Sequence, residues 1–170
     1  MKSSLLFALM LFTIATFGQQ DKSQRPSPPA LAKETLKSGT TVSIDYSQPG
    51  VKGRTIGKDL EPMDGKVWRA GANEATVFEV DKPVKIEGKD LPAGKYGFFA
   101  IMNGDEWTLI FNKTWNQWGA FNYKEADDAL RVKVKGKKAS KFSERLTYTI
   151  GKDGDVSLLW GDKEVAFKVK

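Results

Sequence analysis

Short runs of alternating apolar and polar residues recur along most of the chain. Residues 40–46 place Val42, Ile44 and Tyr46 on one face, and this period of two predicts a half-buried strand. Similar runs cover residues 75–80, 84–86, 95–102, 106–111, 131–135, 144–150, 156–160 and 164–169. The pattern therefore predicts about nine short strands and almost no helix.

Turn-forming residues separate these runs. Asn103-Gly104 lies between residues 95–102 and 106–111, and an Asn-Gly pair between alternating runs is a strong hairpin signal. Asp153-Gly154 and Gly161-Asp162 predict tight turns between the last three strands. Residues 95–102 are apolar on both faces, which predicts a central, covered strand.

The strand pattern predicts an all-β fold, an antiparallel β-sandwich or jelly-roll-like domain with at most one short helix. The candidate for that helix is residues 123–129. We expect one domain over residues 39–170. Residues 19–38 are expected to be an extended Pro-rich lead-in, because a stretch such as Arg25-Pro26-Ser27-Pro28-Pro29 is unsuited to pairing in a sheet.

The first 18 residues have the order of a secretory signal peptide. A basic start precedes an apolar run over Leu5–Phe17, and the small residue Gly18 follows. The run is shorter than the roughly 20 residues of a membrane-spanning helix. We therefore expect cleavage near Gly18 or Gln19, no membrane span afterwards, and a periplasmic or secreted protein.

The composition restricts the possible chemistry. The 170 residues include no Cys and no His, which excludes disulfides, thiolate nucleophiles, imidazole bases and the usual zinc and iron sites. Any reaction must use Asp, Glu, Lys, Tyr, Arg or a bound hard cation. We predict no cofactor and no metal site.

The charge adds little to this picture. Removal of the signal peptide leaves 26 basic and 21 acidic side chains, a net charge of +5. The one basic cluster comprises Lys133, Lys135, Lys137, Lys138 and Lys141. It is interpreted as a solvated strand face, and no nucleic-acid partner is predicted.

Residues 68–76 are the first candidate site. Arg69 offers a planar fork for carboxylate or phosphate, while Asn73 and Glu74 add a donor and acceptors. The alternative is structural, with Arg69 and Glu74 paired internally and Asn73 closing a turn. Arg54 would fit either network.

Aromatic residues form the second candidate group. Trp68, Trp115, Trp118 and Tyr123 are candidate ligand-binding residues, since exposed aromatic rings on a β-domain can hold a sugar ring or a partner protein. Trp115 and Trp118 lie in an irregular stretch, so they form either a binding surface or a lid packed on the domain. Trp107 and Trp160 lie on predicted strands and are expected to be core residues.

The same residues carry a family resemblance. The string Trp68-Arg69-Ala70-Gly71-Ala72-Asn73-Glu74-Ala75-Thr76, the segment Leu91-Pro92-Ala93-Gly94-Lys95-Tyr96, and Glu106-Trp107-Thr108 and Trp118-Gly119-Ala120 occur together and in order. This combination resembles the DUF2911 family, exported bacterial domains mostly of Bacteroidetes type. The resemblance covers nearly all of the chain after the signal peptide, and it implies a domain whose function is uncharacterised.

Three functional hypotheses follow from these residues. The leading one is a non-catalytic exported β-domain that binds a small ligand, a glycan or an envelope partner through the Trp68–Thr76 loop. The alternative is a hydrolase or lyase without His, in which Glu74 is the base and Arg69 clamps an anion. A structural envelope protein is the third class.

Overall fold

The computed structural model describes residues 21–170, so the predicted signal peptide lies outside the described residues. In the described part, ten strands and two 3-10 helices form the regular structure, which confirms the predicted all-β fold. The strands are β1 (Pro29–Thr35), β2 (Thr41–Ser47), β3 (Val67–Trp68), β4 (Thr76–Val80), β5 (Val84–Ile86), β6 (Lys89–Leu91), β7 (Gly94–Asn103), β8 (Glu106–Asn112), β9 (Asp128–Ile150) and β10 (Asp155–Lys168). The 3-10 helices span Lys22–Gln24 and Glu125–Asp127. None of the helical turns in residues 21–170 has the length or apolar character needed to cross a bilayer.

One large antiparallel sheet contains eight of these strands. Its order is β1-β2-β4-β7-β8-β9-β10, with β3 also pairing with β7, while β5 and β6 form a separate hairpin. The sheet curls, so that β9 also contacts β1 and β2. The inner faces of its two ends therefore share one hydrophobic core.

Strand β7 is central, as its apolar sequence predicts, and pairs with β4 and β8. The predicted hairpin with β8 is present, and Asn103 pairs with Glu106 across a turn formed by Gly104 and Asp105. Phe99 on the outer face of β7 is fully buried in a second, small cluster. Residues of the connection after β8 cover this face, which fixes that connection to the sheet.

The last two strands are longer than predicted. Residues 131–135 and 144–150 belong to the single strand β9, and the predicted turn at Gly161-Asp162 is wrong because β10 continues through it. The pairing register shifts on both sides of Gly161, whose φ is +58°. Glycine supplies the left-handed backbone of a β-bulge as readily as that of a turn. The bulge bends β10 without ending it.

The sheet begins inside the predicted lead-in. Strand β1 pairs with β2 from Pro29↔Ser47 to Thr35↔Thr41. The expectation that residues up to Pro29 cannot pair is therefore wrong for Pro29 itself. It is the first residue of an edge strand, a position where the missing proline N–H is tolerated.

Two stacked tryptophans lie at the centre of the core. The Trp68 and Trp160 rings are 5.2 Å apart at an interplanar angle of 10°, and each residue is only 2% exposed. Trp68 comes from β3 and Trp160 from β10, so the stack joins the middle of the sheet to its last strand. The predictions that Trp107 and Trp160 are core residues are confirmed.

We expect the Trp160→Ala variant to lower the free energy of unfolding by about 3–5 kcal/mol, because it removes a large buried ring and leaves a cavity. Urea denaturation of the described domain measures this loss. The matched control is Trp118→Ala, which removes an indole that is 53% exposed and should change stability by about 0.5 kcal/mol or less. Equal losses in the two variants would contradict the assignment of the stack as the centre of the core.

Candidate functional site

The connection between β3 and β4 (residues 69–75) is fixed to the core from inside. The Ala70 carbonyl accepts hydrogen bonds from the Tyr148 hydroxyl at 2.7 Å and the Thr76 hydroxyl at 3.0 Å. The Trp68 indole N–H donates to the Gly71 carbonyl at 3.1 Å. A Cβ on Gly71 would lie 2.5 Å from the Thr76 hydroxyl, so the small residues here permit close packing of backbone on core. The inner side of this connection is structural.

Asn73 ties three segments together. Its φ is +59°, a left-handed conformation that asparagine tolerates better than most residues. Its side-chain amide donates to the Ser27 carbonyl at 3.0 Å and to the Ser47 hydroxyl at 3.2 Å. Its own carbonyl accepts from the Gly119 N–H. These bonds place Asn73 in a structural role beside the site.

Glu74 pairs with the segment before β1 and not with Arg69. The Arg25 guanidinium donates to both carboxylate oxygens of Glu74, at 2.8 and 3.0 Å, and the Lys22 ammonium lies 3.0 Å away. Burial by itself would raise the carboxyl pKa, but the hydrogen bonds of its own backbone and of Arg25, with the Lys22 charge, outweigh it and lower the pKa of Glu74 to about 2.

The low pKa of Glu74 bears on the hydrolase or lyase hypothesis. An efficient general base has a pKa near the working pH, and a carboxyl with a pKa of about 2 holds protons too weakly for that role at neutral pH. This property favours a binding or structural role for the carboxylate.

The connection between β8 and the second 3-10 helix (residues 113–124), here called the aromatic loop, pairs with the β3–β4 connection. The Ala75 N–H donates to the Gln117 carbonyl at 3.0 Å, and Glu74 forms an isolated antiparallel bridge with Trp118. The loop is therefore held by backbone hydrogen bonds in one conformation. Trp115 is 39% exposed and Trp118 is 53% exposed.

A cleft of about 210 Å³ lies between β2, the β3–β4 connection and the aromatic loop. Its lining includes Lys22, Arg25, Asp45, Glu74, Trp115 and Gln117. The Lys95 ammonium lies 5.5 Å from the centre of the Trp115 ring, and the Arg25 guanidinium lies 5.9 Å from that of Trp118. The cleft thus combines aromatic surface with charges of both signs.

Gln117 lines the cleft and contains a buried acceptor that has no donor in the described part of the chain. The side chain is 92% buried, since its exposed fraction is 8%. Its amide N–H donates to the Thr114 carbonyl at 2.7 Å, but its amide oxygen has no hydrogen-bond partner within residues 21–170. A buried acceptor without a donor costs free energy.

Of the predicted ligand-binding residues, only Glu74 and Trp115 line the cleft. The others do not, namely Arg54, Trp68, Arg69, Asn73, Trp118 and Tyr123. Trp68 is buried in the core stack. Arg54 is exposed, and its guanidinium donates to the carbonyls of Gly50 and Val51 at 2.7 and 3.1 Å, which closes a local turn.

Tyr123, which also lies outside the cleft, is part of a structural network. The centre of its ring lies 5.1 Å from the centre of the Phe99 ring. Its hydroxyl donates to Asp128 at 2.8 Å and accepts from Arg131. Burial and then the Asp128 carboxylate raise the pKa of Tyr123 to about 12. This network anchors the end of the aromatic loop to β9.

Arg69 is half-buried and has a different environment from Glu74. Its guanidinium makes no hydrogen bond or ion pair within the described residues 21–170, and its Nε is enclosed without an acceptor. Burial lowers the pKa of Arg69, and the charge of Glu61 opposes this in part. The alternative of an internal Arg69–Glu74 pair is therefore replaced by the Arg25–Glu74 pair.

The sequence reasoning missed several cleft residues. Lys22 and Arg25 lie in the predicted lead-in, far along the chain from Glu74 and the aromatic loop, so no local sequence signal places them in the cleft. Asp45 lies on a strand face that alternation marks only as solvent-exposed, and nothing in the sequence distinguishes it. Gln117 stands between Trp115 and Trp118, where a buried amide carries no periodic signature.

Within residues 21–170, no group of three or more Asp or Glu side chains is arranged to hold a metal ion. The family model described as "Protein of unknown function (DUF2911)" matches residues 27–169, which confirms the resemblance carried by the Trp68–Thr76 string. No curated protein and no solved structure matches the chain.

We expect Glu74→Gln to lower the free energy of unfolding at neutral pH by about 1 kcal/mol. The value is well below a full conversion of the pKa shift, because the side chain is 40% exposed and solvent screens its ion pairs. A lowered folded-state pKa stabilises the protein above the unfolded-state value near 4.5, and this contribution is lost as the pH falls towards about 2. The variant should therefore lose less stability than the wild type between these two pH values.

Urea denaturation at a series of pH values between neutrality and about 2 measures this difference. The matched control is Glu79→Gln, which removes a half-exposed carboxylate 3.5 Å from Lys95. In this variant the loss of stability at acid pH should be close to that of the wild type. If Glu74→Gln lost as much stability as the wild type at acid pH, the importance of the Arg25–Glu74 pair would be contradicted.

Proposed function

We propose that this chain, which belongs to the DUF2911 family, is a non-catalytic carbohydrate-binding domain that holds one sugar ring in the cleft beside the aromatic loop. The observation that carries the proposal is the composition of the cleft lining, where the exposed ring of Trp115 stands among Asp45, Glu74 and Arg25. The predicted export would bring such a domain into contact with envelope or extracellular glycans.

The chemistry of a sugar ring matches this lining. A pyranose has an apolar face of C–H groups, which packs on an indole ring, and a rim of hydroxyls that both donate and accept hydrogen bonds. Carboxylates such as Asp45 accept from hydroxyls, the Arg25 guanidinium donates to them, and Gln117 has an unused amide acceptor. A purely apolar ligand would leave these polar groups unpaired, which disfavours it.

The size of the cleft limits what it holds. Its volume of about 210 Å³ is below the roughly 300–1,000 Å³ of pockets for drug-sized ligands. One ring fits this volume better than an oligosaccharide does. The remaining rings of a glycan would extend across the exposed Trp118, which borders the cleft through its contact with Arg25.

The loop that carries Trp115 is held in place before any ligand arrives. Its backbone pairs with Asn73 and Ala75, and Tyr123 anchors its far end to β9. Binding would therefore cost little ordering entropy, which favours useful affinity from a small contact area.

The other two functional classes receive less support. The hydrolase or lyase hypothesis needs Arg69 and Glu74 to act together, but Arg69 is not among the residues that line the cleft and Glu74 is neutralised by Arg25. A structural envelope role would not call for a buried, unused acceptor at Gln117.

We expect Trp115→Ala to weaken glycan binding at least about tenfold, equivalent to about 1.4 kcal/mol, because it removes the stacking surface for the sugar. A panel of immobilised neutral and acidic polysaccharides identifies the ligand, and calorimetry with the retained glycan measures affinity. The matched control is Phe142→Ala, which removes an exposed aromatic ring outside the cleft and should leave affinity unchanged. Retention of no polysaccharide by the wild type, or equal affinity of the two variants, would refute the proposal.

A further inference from the structure

Arg69 is unlike the other arginines of the chain. All five arginines lie within the described residues, and four of them have hydrogen-bond acceptors in the fold. The acceptors are Glu74 for Arg25, the Gly50 and Val51 carbonyls for Arg54, Asp128 and Tyr123 for Arg131, and the Pro26 and Gln48 carbonyls for Arg145. Arg69 alone has none within residues 21–170, although it is half-buried.

An unpaired guanidinium in this environment is costly. The group stays protonated under all ordinary conditions and carries five donors with no acceptor. Burial of a charge without a partner opposes folding, and burial lowers the pKa of Arg69 accordingly. Glu61 contributes a distant opposing charge but forms no ion pair with Arg69. A purely structural arginine would be paired as the other four are.

Arg69 and an exposed aromatic ring lie on either side of one glycine. A Cβ on Gly119 would lie 3.8 Å from Nη1 of Arg69 and 3.2 Å from the Phe121 ring, so both side chains flank the same glycine. Phe121 is 82% exposed, an unusual position for a phenyl ring. Gly119 itself has a φ of +61°, which disfavours a side chain there.

We propose that Arg69 is the oxyanion-binding residue of a second site, which takes a carboxylate, phosphate or sulfate group of a ligand and packs its adjoining apolar part on Phe121. The planar fork of Arg69 suits two parallel hydrogen bonds to such a group. The site lies on the same aromatic loop as the cleft but shares none of the cleft-lining residues, so the inference does not depend on the proposed sugar binding.

The proposal predicts that lysine at position 69 would bind the oxyanion less well than arginine does. Lysine keeps the positive charge but lacks the planar fork, so Arg69→Lys should bind the oxyanion at least about tenfold more weakly. Arg69→Gln removes the charge and should abolish saturable binding. Arg54→Gln is the matched control, because Arg54 is exposed and its acceptors are backbone carbonyls of its own turn.

Nuclear magnetic resonance tests the inference on the wild-type protein without any variant. The Nε–H resonances of the five arginines are followed during titration with sodium sulfate, inorganic phosphate or sodium acetate, against sodium chloride at equal ionic strength. We expect a saturable shift of the Arg69 resonance in the millimolar range with at least one oxyanion and none with chloride. Comparison of the sulfate, phosphate and acetate titrations identifies the anion that Arg69 binds most tightly.

Two results would overturn the inference. One is an Arg69 resonance that shifts no more than that of Arg54, and the other is an equal response to chloride, which indicates screening alone. The same titration on Trp115→Ala separates the two sites. An intact anion response in that variant supports a separate site, whereas loss of the anion response would contradict it. The Phe121→Ala variant should retain inorganic anions and weaken only ligands with an apolar part, such as benzoate compared with acetate.

Discussion

The fold depends on the stacked pair of Trp68 and Trp160, because it closes a single curled sheet on itself. Trp160 lies on the last strand of the sheet order, and Trp68 lies on a two-residue strand added beside the centre. An open sheet of this size would leave one face uncovered, so its two ends must share a core. Tyr148 of β9 reaches the same region and hydrogen-bonds the Ala70 carbonyl. The contacts that close the sheet therefore also fix the position of the β3–β4 connection.

That connection has two sides with different roles. Its backbone is bonded inward to the core through Ala70 and Gly71, whereas Glu74 faces the cleft and Arg69 lies beside Phe121. The aromatic loop completes both surfaces by pairing with the same stretch of backbone. Rigid connections of this kind can carry binding residues because packing on the core orders them during folding. Little further ordering entropy is then lost when a ligand binds.

Local patterns in the sequence predicted the strands, the central position of β7 and the burial of Trp160, because alternation and turn chemistry are properties of neighbouring residues. The errors have tertiary causes. Gly161 has the same positive φ in a bulge as it would in a turn, so only the pairing partner distinguishes the two. Glu74 meets Arg25 across 49 residues, and no local pattern encodes that contact. The sequence analysis offered Arg69 as the internal partner of Glu74, whereas the carboxylate pairs with Arg25.

Arg25 lies before the first strand, so the cleft is complete only when the segment before β1 is in place. This segment supplies both cations near Glu74. Its other attachments include three backbone carbonyls, those of Pro26, Ser27 and Pro28, which accept from Arg145, Asn73 and the Gln48 N–H. Local opening of such a segment requires much less free energy than global unfolding. Its release would remove one wall of the cleft and leave the carboxylates of Asp45 and Glu74 without those counter-charges. The charge of the cleft thus depends on the cations of the segment before β1, and a cationic ligand would compete with Lys22 and Arg25 for the same carboxylates.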